Sequence, residues 1–519
     1  MDYLDYVQMT KGQRFIYNLK SFFTGIPRAI GNFFKAIVYF IKKFFVGIGN
    51  FFKGYGSRFA KGDAGTKLSY IIMGAGSIMH GQIMKGLIFL ATEVGYIFFM
   101  ISFGAKYISK IYTSKMVFLD SLPDATTGYY KKGTGAVGRV VANVQQTLTG
   151  TAITNKKTMD NSNEIILFFV LTMIVTVVFF AIYIANTKSA YYTQQLRAEG
   201  KKPIGFIDEM KTFLDDRFHI TLLSLPILLL VIFNILPILF TILMAFTNYD
   251  EEHLVPMKLY QWVGLKNFAD VFYSNPLKSQ TFGKILIWTL VWAVFATFTN
   301  YIFGIILALL INKKEIKFKS FWRTMFVITA AVPQFVTLLL MRLILSDDGA
   351  VNSLLQGAGL PVIPFLSDAT AARITVIVVN MWVGIPYTML ITSGLLMNIP
   401  EDLYESARID GANAFQQFTK ITFPYIFFVT TPYLITTFVG NINNFNVIYF
   451  LTGGGPSPSS YYQAGQTDLL VTWLYKLTVN SSDFNLASVI GIIVFVVCAA
   501  GSLITFNMSK ASKNEEEFS

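Results

Sequence analysis

The sequence predicts an all-α integral membrane protein with about eight transmembrane helices and with N-terminal amphipathic helices at the membrane interface. Of its 519 residues, 53% are hydrophobic and only 14% are charged, which is more apolar surface than a soluble chain of this length buries in one or two cores. Apolar stretches of about 20 residues, long enough to cross the hydrocarbon core as a helix, occur eight times. The single cysteine excludes a disulfide framework within the chain. Three scattered histidines favour interfacial or loop roles over a metal site.

The membrane topology follows from the number of apolar stretches and from the basic residues around them. The polar start MDYLDYVQMTKGQRF lacks the apolar core of a signal peptide. The first 85 residues hold twelve Lys/Arg and three Asp/Glu, which is typical of cytoplasmic segments. An even number of spans then predicts that both termini are cytoplasmic, although the basic loop 106–163 is placed outside against the charge rule. The eight stretches are 86–105, 164–186, 220–247, 284–312, 324–345, 373–397, 424–450 and 485–507.

Residues 1–85 form a basic, Phe-rich region ahead of the first apolar stretch. Four pairs of adjacent phenylalanines recur at intervals of 11, 11 and 7 residues, which returns them to nearly one face of a helix. Lysines interrupt every apolar run, so the pattern predicts helices lying in the inner interface; a calmodulin-like partner helix or a packed scaffold is the alternative. The following KLSYIIMGAGSIMHGQIMKG is expected to be interfacial or re-entrant. Breaks in the helix are predicted at Pro27, Gly47, Gly49, Gly54 and Gly56.

The apolar stretches contain few groups that could bind a coupling ion. Ion-driven transporters need ionisable side chains within the membrane, yet Glu93 and Arg342 are the exceptions in stretches that otherwise lack such groups in their cores. The two residues remain a candidate relay, with helix-end placement as the simpler explanation. No G-x-x-x-x-G-K-[ST] phosphate loop occurs in the chain. If ATP drives this protein, the nucleotide site is on another chain.

A charged segment, EDLYESARIDGANAFQQFTKITFP, separates the sixth and seventh apolar stretches. Its spacing predicts one helix that ends at Gly411, where glycine adopts the left-handed conformation, and a second that begins with AFQQF. Acidic residues near the start of the first helix complement its dipole. The pattern indicates either a docking element with an elbow at Gly411 or a simple amphipathic connector.

Residue by residue, this segment resembles the EAA loop of ATP-binding-cassette importer permeases. Ser406 and Phe423 are mild departures from the family pattern. In that family the loop docks in a groove of the ATPase subunit and transmits its closure to the membrane helices. The resemblance implies that this chain is not an enzyme, that it holds no cofactor, and that ATP and Mg are bound by the partner ATPase. The matching positions, predicted to couple to the ATPase, are Glu405, Ala407, Gly411, Ile421 and Pro424.

A wider resemblance covers residues 218–510. NMWVGIPYTMLITSGLLMNIP, GNINNFNVIYFLTGGGP, AGQTDLLVTWLYKL and FNILPILFTILMAFTNYD with VGLKNFADVF are similar to maltose/maltodextrin permeases of the MalF type. The resemblance implies the type I permease fold of ABC importers, a second permease subunit completing a heterodimer, a dimer of ATPase subunits and an extracellular sugar-binding lipoprotein. Residues 248–283 are too few for the large outward domain of enterobacterial members. This favours a Gram-positive-type system. As a permease, the chain is expected to lie in the cell membrane in contact with lipid, and no nucleic-acid partner is expected.

Two polar faces predict a site for a neutral ligand such as a sugar. A sugar needs aromatic faces for its C–H surface and amide or hydroxyl groups for its OH groups. Asparagine also bonds helices to one another in membranes, which is the alternative. The positions coincide with sugar-contacting positions of the resembled permeases, and Gly440 replaces a phenylalanine of the enterobacterial pattern, which is expected to open the site to longer maltodextrins or another oligosaccharide. The predicted residues are Asn380, Gly384, Tyr387, Thr437, Gly440, Asn441 and Asn444.

The resulting expectation is the permease subunit of an ATP-driven importer of oligosaccharides, maltose or maltodextrins foremost. An ion-coupled sugar symporter and an interfacial membrane scaffold are the alternatives. The outer loop TGGGPSPSS is expected to adopt special backbone angles and to carry no chemistry. The predicted regions are 1–85 (interfacial), 86–217 (helical hairpin), 218–510 (permease core with the coupling loop 398–424) and 511–519 (cytoplasmic tail).

Overall fold

The computed structural model describes residues 31, 35, 38–39, 42–112, 162–253, 260–313 and 315–508. Within these ranges the regular structure is helical, apart from one isolated bridge between Thr247 and Trp262. The predicted all-α class is confirmed.

In the N-terminal half of the chain, long apolar helices alternate with short ones. Residues 42–61 form one helix. A π-helical turn at Met100–Gly104 joins two helices, as does another at Val231–Ile235, and a short 3-10 helix covers Glu251–His253. The remaining helices are α1 (Ala64–Leu68), α2 (Ala75–Met79), α3 (Ile83–Phe99), α4 (Ala105–Tyr112), α5 (Ser162–Ala198), α6 (Phe206–Thr212), α7 (Phe218–Leu230) and α8 (Leu236–Met244).

In the C-terminal half, long helices again alternate with short ones. Further π-helical turns lie at Asp270–Ser274 and Phe418–Thr422. The α-helices are α9 (Lys266–Ala269), α10 (Pro276–Asn312), α11 (Lys319–Ala331), α12 (Gln334–Ile344), α13 (Ala350–Gly357), α14 (Ala369–Leu396), α15 (Glu401–Ile409), α16 (Ala414–Gln417), α17 (Phe423–Ile442), α18 (Phe445–Leu451), α19 (Leu470–Val479) and α20 (Phe484–Met508).

The chain folds as two compact units. One comprises Tyr39–Asn267 with Asp483–Ser488, and the other is built on Phe268–Ser482 with the rest of α20. Among the described residues, seven continuous helical runs are long and apolar enough to cross a membrane, and a bent pair makes eight. The predicted number of about eight spans is confirmed. The seven runs are Ile83–Ile111, Ser162–Ala198, Phe218–Met244, Pro276–Asn312, Ala369–Leu396, Ala414–Ile442 and Phe484–Leu503.

The fifth apolar stretch is broken. The prediction of one continuous span over 324–345 is wrong, because Lys319–Thr329 and Gln334–Ile344 meet at 80°. Pro333 causes the break. Its ring disfavours a helical conformation in the preceding residue, and Val332 is extended at ψ 131°. Residues 324–345 are predominantly apolar, so hydropathy gives no sign of this break.

The seventh stretch is broken as well. The prediction of one span over 424–450 is wrong, because α17 ends at Ile442 and a separate helix begins at Phe445. Asn444 separates them: its backbone is extended, and its side chain accepts a hydrogen bond from the Val447 N–H and caps α18. An asparagine cap of this kind satisfies one of the free donors at the start of a helix.

The basic N-terminal region forms a longer helix than expected. The predicted breaks at four glycines are wrong, because residues 42–61 are helical throughout. Each glycine costs about 1 kcal/mol relative to alanine in a helix interior, which weakens a helix without ending it. Phe44, Phe45 and Phe52 are exposed, as an interfacial helix requires. Pro27 and the phenylalanines at 22, 23, 33 and 34 lie outside the described residues.

Close packing between α10 and α14 organises the second unit. A Cβ added to Gly304 of α10 would overlap the side chain of Thr388, and one added to Gly384 of α14 would overlap the side chain of Asn300. Small residues let helix backbones approach closely in membranes. The buried Trp292 also lies on α10 and donates its indole N–H to the carbonyl of Asn441, 3.0 Å away. These contacts hold α10, α14 and α17 side by side.

The TGGGPSPSS loop adopts the special backbone angles predicted for it. Gly453 and Gly454 have φ of 61° and 82°. Behind them lies a buried ion pair, with Lys476 Nζ 2.6 Å from Asp468 Oδ2. Burial raises the pKa of Asp468, and the neighbouring ammonium opposes that shift. The Gly465 N–H also donates to this carboxylate. The neighbouring Thr467 donates its backbone N–H to the carbonyl of Gly454 at 3.2 Å, which holds the loop against this segment.

Candidate functional site

A cavity of about 300 Å³ lies among α10, α14 and α17, next to the first residue of α12. Its wall is rich in neutral hydrogen-bonding groups. The amides are those of Asn300, Gln334, Asn380 and Asn441. The hydroxyls are those of Thr297, Tyr301, Thr388, Tyr433 and Thr437, together with Tyr387. Among the residues that the structure describes, none in this wall carries a carboxylate, an ammonium or a guanidinium, so the cavity suits an uncharged polar ligand with apolar patches.

Five of the seven residues predicted to bind sugar line this cavity: Asn380, Gly384, Tyr387, Thr437 and Asn441. The structure thus brings the two predicted polar faces, on α14 and α17, to a common space. The other two predicted residues lie outside the wall. Asn444 caps α18, as described above, and Gly440 is exposed on α17.

Sequence reasoning missed a third wall. Thr297, Asn300 and Tyr301 of α10 project into the cavity and follow one another at intervals of three and one, a single helical face. The signal was present in the sequence as ATFTNYIFG, but three neutral polar residues are lost in the hydropathy of a 37-residue helix. Gln334 was missed because the bend that brings it to the cavity is not visible in an apolar pattern.

Hydrogen bonds among α10, α14 and α17 hold five of these ten polar side chains in place. Asn441 donates from Nδ2 to Thr297 Oγ1 at 3.0 Å, which joins α17 to α10. The hydroxyls of Thr388 and Tyr433, 3.2 Å apart, join α14 to α17. Tyr301 and Thr430 form a third hydroxyl pair at 2.7 Å. The cavity wall is therefore ordered by its own contacts before any ligand enters.

Two buried amides in the wall have unused hydrogen-bonding atoms. Asn300 is 7% exposed and its Oδ1 has no partner; Asn380 is 4% exposed and its Nδ2 has none. Leaving a buried polar group unpaired costs about 1–3 kcal/mol. A ligand hydroxyl offers both a donor and an acceptor, so it can satisfy one or both atoms. The two atoms therefore make the cavity chemically suited to hydroxyl-bearing molecules.

The charged segment between the spans forms the predicted elbow. Helix α15 ends at Ile409, Gly411 adopts φ 78°, and Asn413 begins α16 in a capping box with Gln416. The predicted helix–glycine–helix arrangement is confirmed. Of the matching residues, Glu405 and Gly411 are exposed, and Ala407 and Ile421 are half-buried, with Ile421 in the π-helical turn before α17. Pro424 follows the π-helical turn at the start of α17, inside the continuous helical run, where a residue without an N–H interrupts the regular hydrogen bonding.

The elbow exposes apolar side chains beside charged ones. Ile409 is 87% exposed and Phe415 is 73% exposed, on the two sides of Gly411. Tyr404 of α15 shares a 2.8 Å hydrogen bond with Thr422, just before α17. The elbow is therefore tied to α17, which carries Tyr433, Thr437 and Asn441 of the cavity wall. Exposed apolar side chains on both sides of the elbow make it a candidate surface for contact with another protein.

Comparisons with known proteins show which family the chain belongs to. Residues 300–512 match the family described as "Binding-protein-dependent transport system inner membrane component". The galactooligosaccharides transport system permease protein GanP of Bacillus subtilis is 38% identical over 359 residues, which are 69% of this chain and 85% of GanP. The maltodextrin transport system permease protein MdxF of the same organism is 33% identical over 456 residues, 86% of this chain and 95% of MdxF.

A third relative is the maltose/maltodextrin transport system permease protein MalF of Vibrio parahaemolyticus, 35% identical over 257 residues, which are 49% of each chain. The likeness to GanP and MdxF spans most of both relatives, so it applies to the whole permease and not to a single motif. The chain is therefore a transport subunit and not an enzyme. It is a permease of the MalF type and belongs to the multi-pass inner-membrane components of binding-protein-dependent ABC sugar importers.

Proposed function

We propose that this chain is the permease of an ATP-driven importer through which a neutral oligosaccharide enters the cell. A maltodextrin is the substrate that we favour. The uncharged, amide- and hydroxyl-lined cavity carries the proposal, because a sugar is recognised by such groups and not by ions. The names of the relatives agree with an oligosaccharide: GanP is a galactooligosaccharide permease and MdxF a maltodextrin permease. Asn380, Gly384, Tyr387, Thr437 and Asn441 would contact the sugar, with Asn300 and Thr297 added by the structure.

The same proposal assigns the partners. A second permease would complete a heterodimer, and two ATPase subunits, which would bind ATP and Mg, would dock on the elbow around Gly411. An extracellular binding lipoprotein would deliver the sugar. The continuous helical run Ala414–Ile442 supports this assignment, because a displacement of the elbow reaches the cavity wall along one helix. Glu405, Ala407, Ile421 and Pro424 would shape the docking surface and its junction with the span.

The orientation and location belong to the proposal as well. The chain would lie in the cell membrane of a Gram-positive bacterium with both termini in the cytoplasm, because the elbow must then meet a cytoplasmic ATPase. The basic connector between α10 and α11 would lie on the same side, in accord with the enrichment of Lys and Arg in cytoplasmic loops.

Uptake by the reconstituted importer tests the proposal. With the purified complex in liposomes, we expect labelled maltotetraose to accumulate when ATP is supplied on the ATPase side, and not when only a proton or sodium gradient is imposed. Within the described residues, the contacts of Glu93, one of the two candidate relay residues, do not favour ion coupling, because its carboxylate accepts a hydrogen bond from the backbone N–H of Met73 at 2.8 Å. Accumulation with a gradient and without ATP would overturn the proposal in favour of a symporter.

Gly440→Phe tests the predicted effect of a missing ring. A Cβ built on Gly440 meets nothing within 4 Å, so this chain has room for the start of a larger side chain beside Asn441. We expect the variant to favour short over long maltodextrins by about three- to tenfold, because a ring beside Asn441, just outside the cavity wall, would occupy space that only a longer sugar reaches. Competition between maltose and maltohexaose in the uptake assay measures the preference. Gly440→Ala is the control, and an unchanged preference in Gly440→Phe would contradict the expectation.

A further inference from the structure

A second cavity, of about 610 Å³, lies in the other compact unit. It is bounded by the beginning of α3, the end of α5, helix α6 and the connection into α7; we call it the α5–α6 cavity. Its volume is within the range of small-ligand sites in proteins, about 300–1,000 Å³. The sugar cavity is formed by other helices, so the α5–α6 cavity has no part in the function proposed above.

The α5–α6 cavity combines an apolar wall with a basic edge. Ile88, Phe89, Leu196, Phe206 and Met210 form much of the apolar part. Three cations lie at the edge: Lys85 of α3, Lys188 of α5 and Arg217 in the connection into α7. Such a wall suits an amphiphile with an anionic head and an apolar tail.

One of the three cations is neutralised within the protein and two are not. Lys85 Nζ pairs with Glu209 Oε1 at 2.5 Å, and both side chains are 21% exposed. Among the described residues, the side chains of Lys188 and Arg217 form no hydrogen bond or ion pair; the guanidinium of Arg217 lies 6.0 Å from the centre of the Phe213 ring. The edge therefore carries two positive charges that the protein itself does not balance.

The surroundings of the cavity place it at the membrane boundary. It lies where the spans built on α3 and α7 begin and where the span of α5 ends. Helix α6 between them is short and polar on one side, with Ile207 and Met210 exposed and Leu214 exposed just beyond it. A helix with this pattern lies in the interface with its apolar face in lipid. The cavity thus opens at the level of phospholipid headgroups.

We propose that the α5–α6 cavity binds one anionic phospholipid, with its phosphate group between Lys188 and Arg217 and the first part of an acyl chain along Ile88, Phe89 and Met210. Basic pockets between membrane helices are suited to anionic headgroups, and guanidinium groups bind phosphate in a planar, bidentate manner. The segment before Lys85, residues 1–84, holds eleven Lys/Arg and three Asp/Glu, so its net charge has the same sign as the edge and does not favour it as the occupant.

Lipid binding to the intact importer tests the proposal. The complex is purified, stripped of lipid in a neutral detergent, and titrated with tritiated phosphatidylglycerol in a scintillation-proximity assay. We expect saturable binding that phosphatidylcholine competes for weakly and that unlabelled phosphatidylglycerol abolishes. Displacement by glycerol 3-phosphate as effective as by phosphatidylglycerol would instead assign the cavity to a soluble phosphate compound and overturn the lipid proposal.

Charge variants locate the bound lipid. Lys188→Gln with Arg217→Gln is expected to weaken phosphatidylglycerol binding by about thirtyfold, since each basic residue near an anionic surface contributes roughly fivefold. Lys201→Gln with Lys202→Gln removes the same charge from the neighbouring connection, outside the cavity wall, and is expected to leave binding unchanged. Equal binding by both double variants would overturn the proposal.

A third variant separates the cavity from the charge. Ala185 lies in the cavity wall, and Ala185→Trp fills the space while every cation stays in place. We expect this variant to lose phosphatidylglycerol binding and to retain ATP-dependent sugar uptake in liposomes of neutral lipid. Full lipid binding by Ala185→Trp would show that the headgroup is held on the open surface, contrary to the proposal.

Discussion

Replacing Gly411 with proline is expected to reduce sugar uptake by roughly a hundredfold or more. Gly411 has φ 78°, whereas proline is fixed near −65°. The change also removes the N–H that Gly411 donates to the carbonyl of Arg408 at 3.0 Å. Proline at an incompatible position costs about 3 kcal/mol or more. The elbow must then adopt another shape, and α15 would no longer present its surface in the direction that the proposed ATPase contact needs.

Two measurements on the same preparations check this expectation. ATP-dependent uptake is measured in liposomes, and the amount of ATPase that co-purifies with the permease is measured on an affinity column. Both should fall in Gly411→Pro. Gly394→Ala is the matched control, because an added Cβ there also meets nothing within 4 Å while the backbone is helical. Normal uptake together with normal ATPase recovery in Gly411→Pro would remove the elbow from the coupling mechanism.

Replacing Asn380 with leucine is expected to weaken sugar transport and to leave the fold unharmed. Leucine has a similar size, but it cannot hydrogen-bond, so a sugar hydroxyl in the cavity would be left unpaired at a cost of about 1–3 kcal/mol, or roughly five- to 150-fold. The protein itself loses little, because Nδ2 of Asn380 has no partner in the cavity. We therefore expect opposite effects: a higher KM for uptake, and thermal stability that is unchanged or higher.

Thr392→Val provides the matched control for this result. Thr392 lies on the same helix, is fully buried and also has an unpartnered oxygen, Oγ1. It is not part of the cavity wall, so its replacement should leave the KM for uptake unchanged. If Asn380→Leu and Thr392→Val behave alike in uptake, Asn380 serves helix packing and does not bind the sugar.

The sequence was informative where local chemistry determines local structure. Eight apolar stretches predicted the helical membrane fold, and a glycine between two short amphipathic patterns predicted the elbow, since only glycine adopts a positive φ without strain. Single residues with a known local effect were overlooked when they lay inside apolar runs. Pro333 and Asn444 each break a stretch that is continuous in hydropathy. Both breaks could have been predicted from the residue type, because a proline ring disfavours helix in the residue before it and an asparagine side chain caps the start of a helix.

The third wall of the cavity depends on tertiary packing, which the sequence pattern does not contain. Asn380 and Tyr387 were found because α14 is polar on one face. Asn300 enters the same space only because its side chain fits against Gly384 of the neighbouring helix. Which helices become neighbours is decided by many weak contacts along their whole length. A polar face on one helix therefore indicates that it faces other polar groups, but it does not identify the helix that carries them.

The interlocking of α10 and α14 restricts how the permease changes shape. Each helix places a side chain in a space left by a glycine of the other, so neither can slide along its neighbour without emptying two tightly filled spaces. During a transport cycle these two helices would travel as one rigid body. Helix α17 meets them partly through two hydroxyl pairs, Tyr301 with Thr430 and Thr388 with Tyr433, and a hydroxyl can turn to another partner as either donor or acceptor. Alternating access would then be a hinge motion of the α17 wall against this pair, and cross-linking α10 to α14 should leave the turnover of the importer intact.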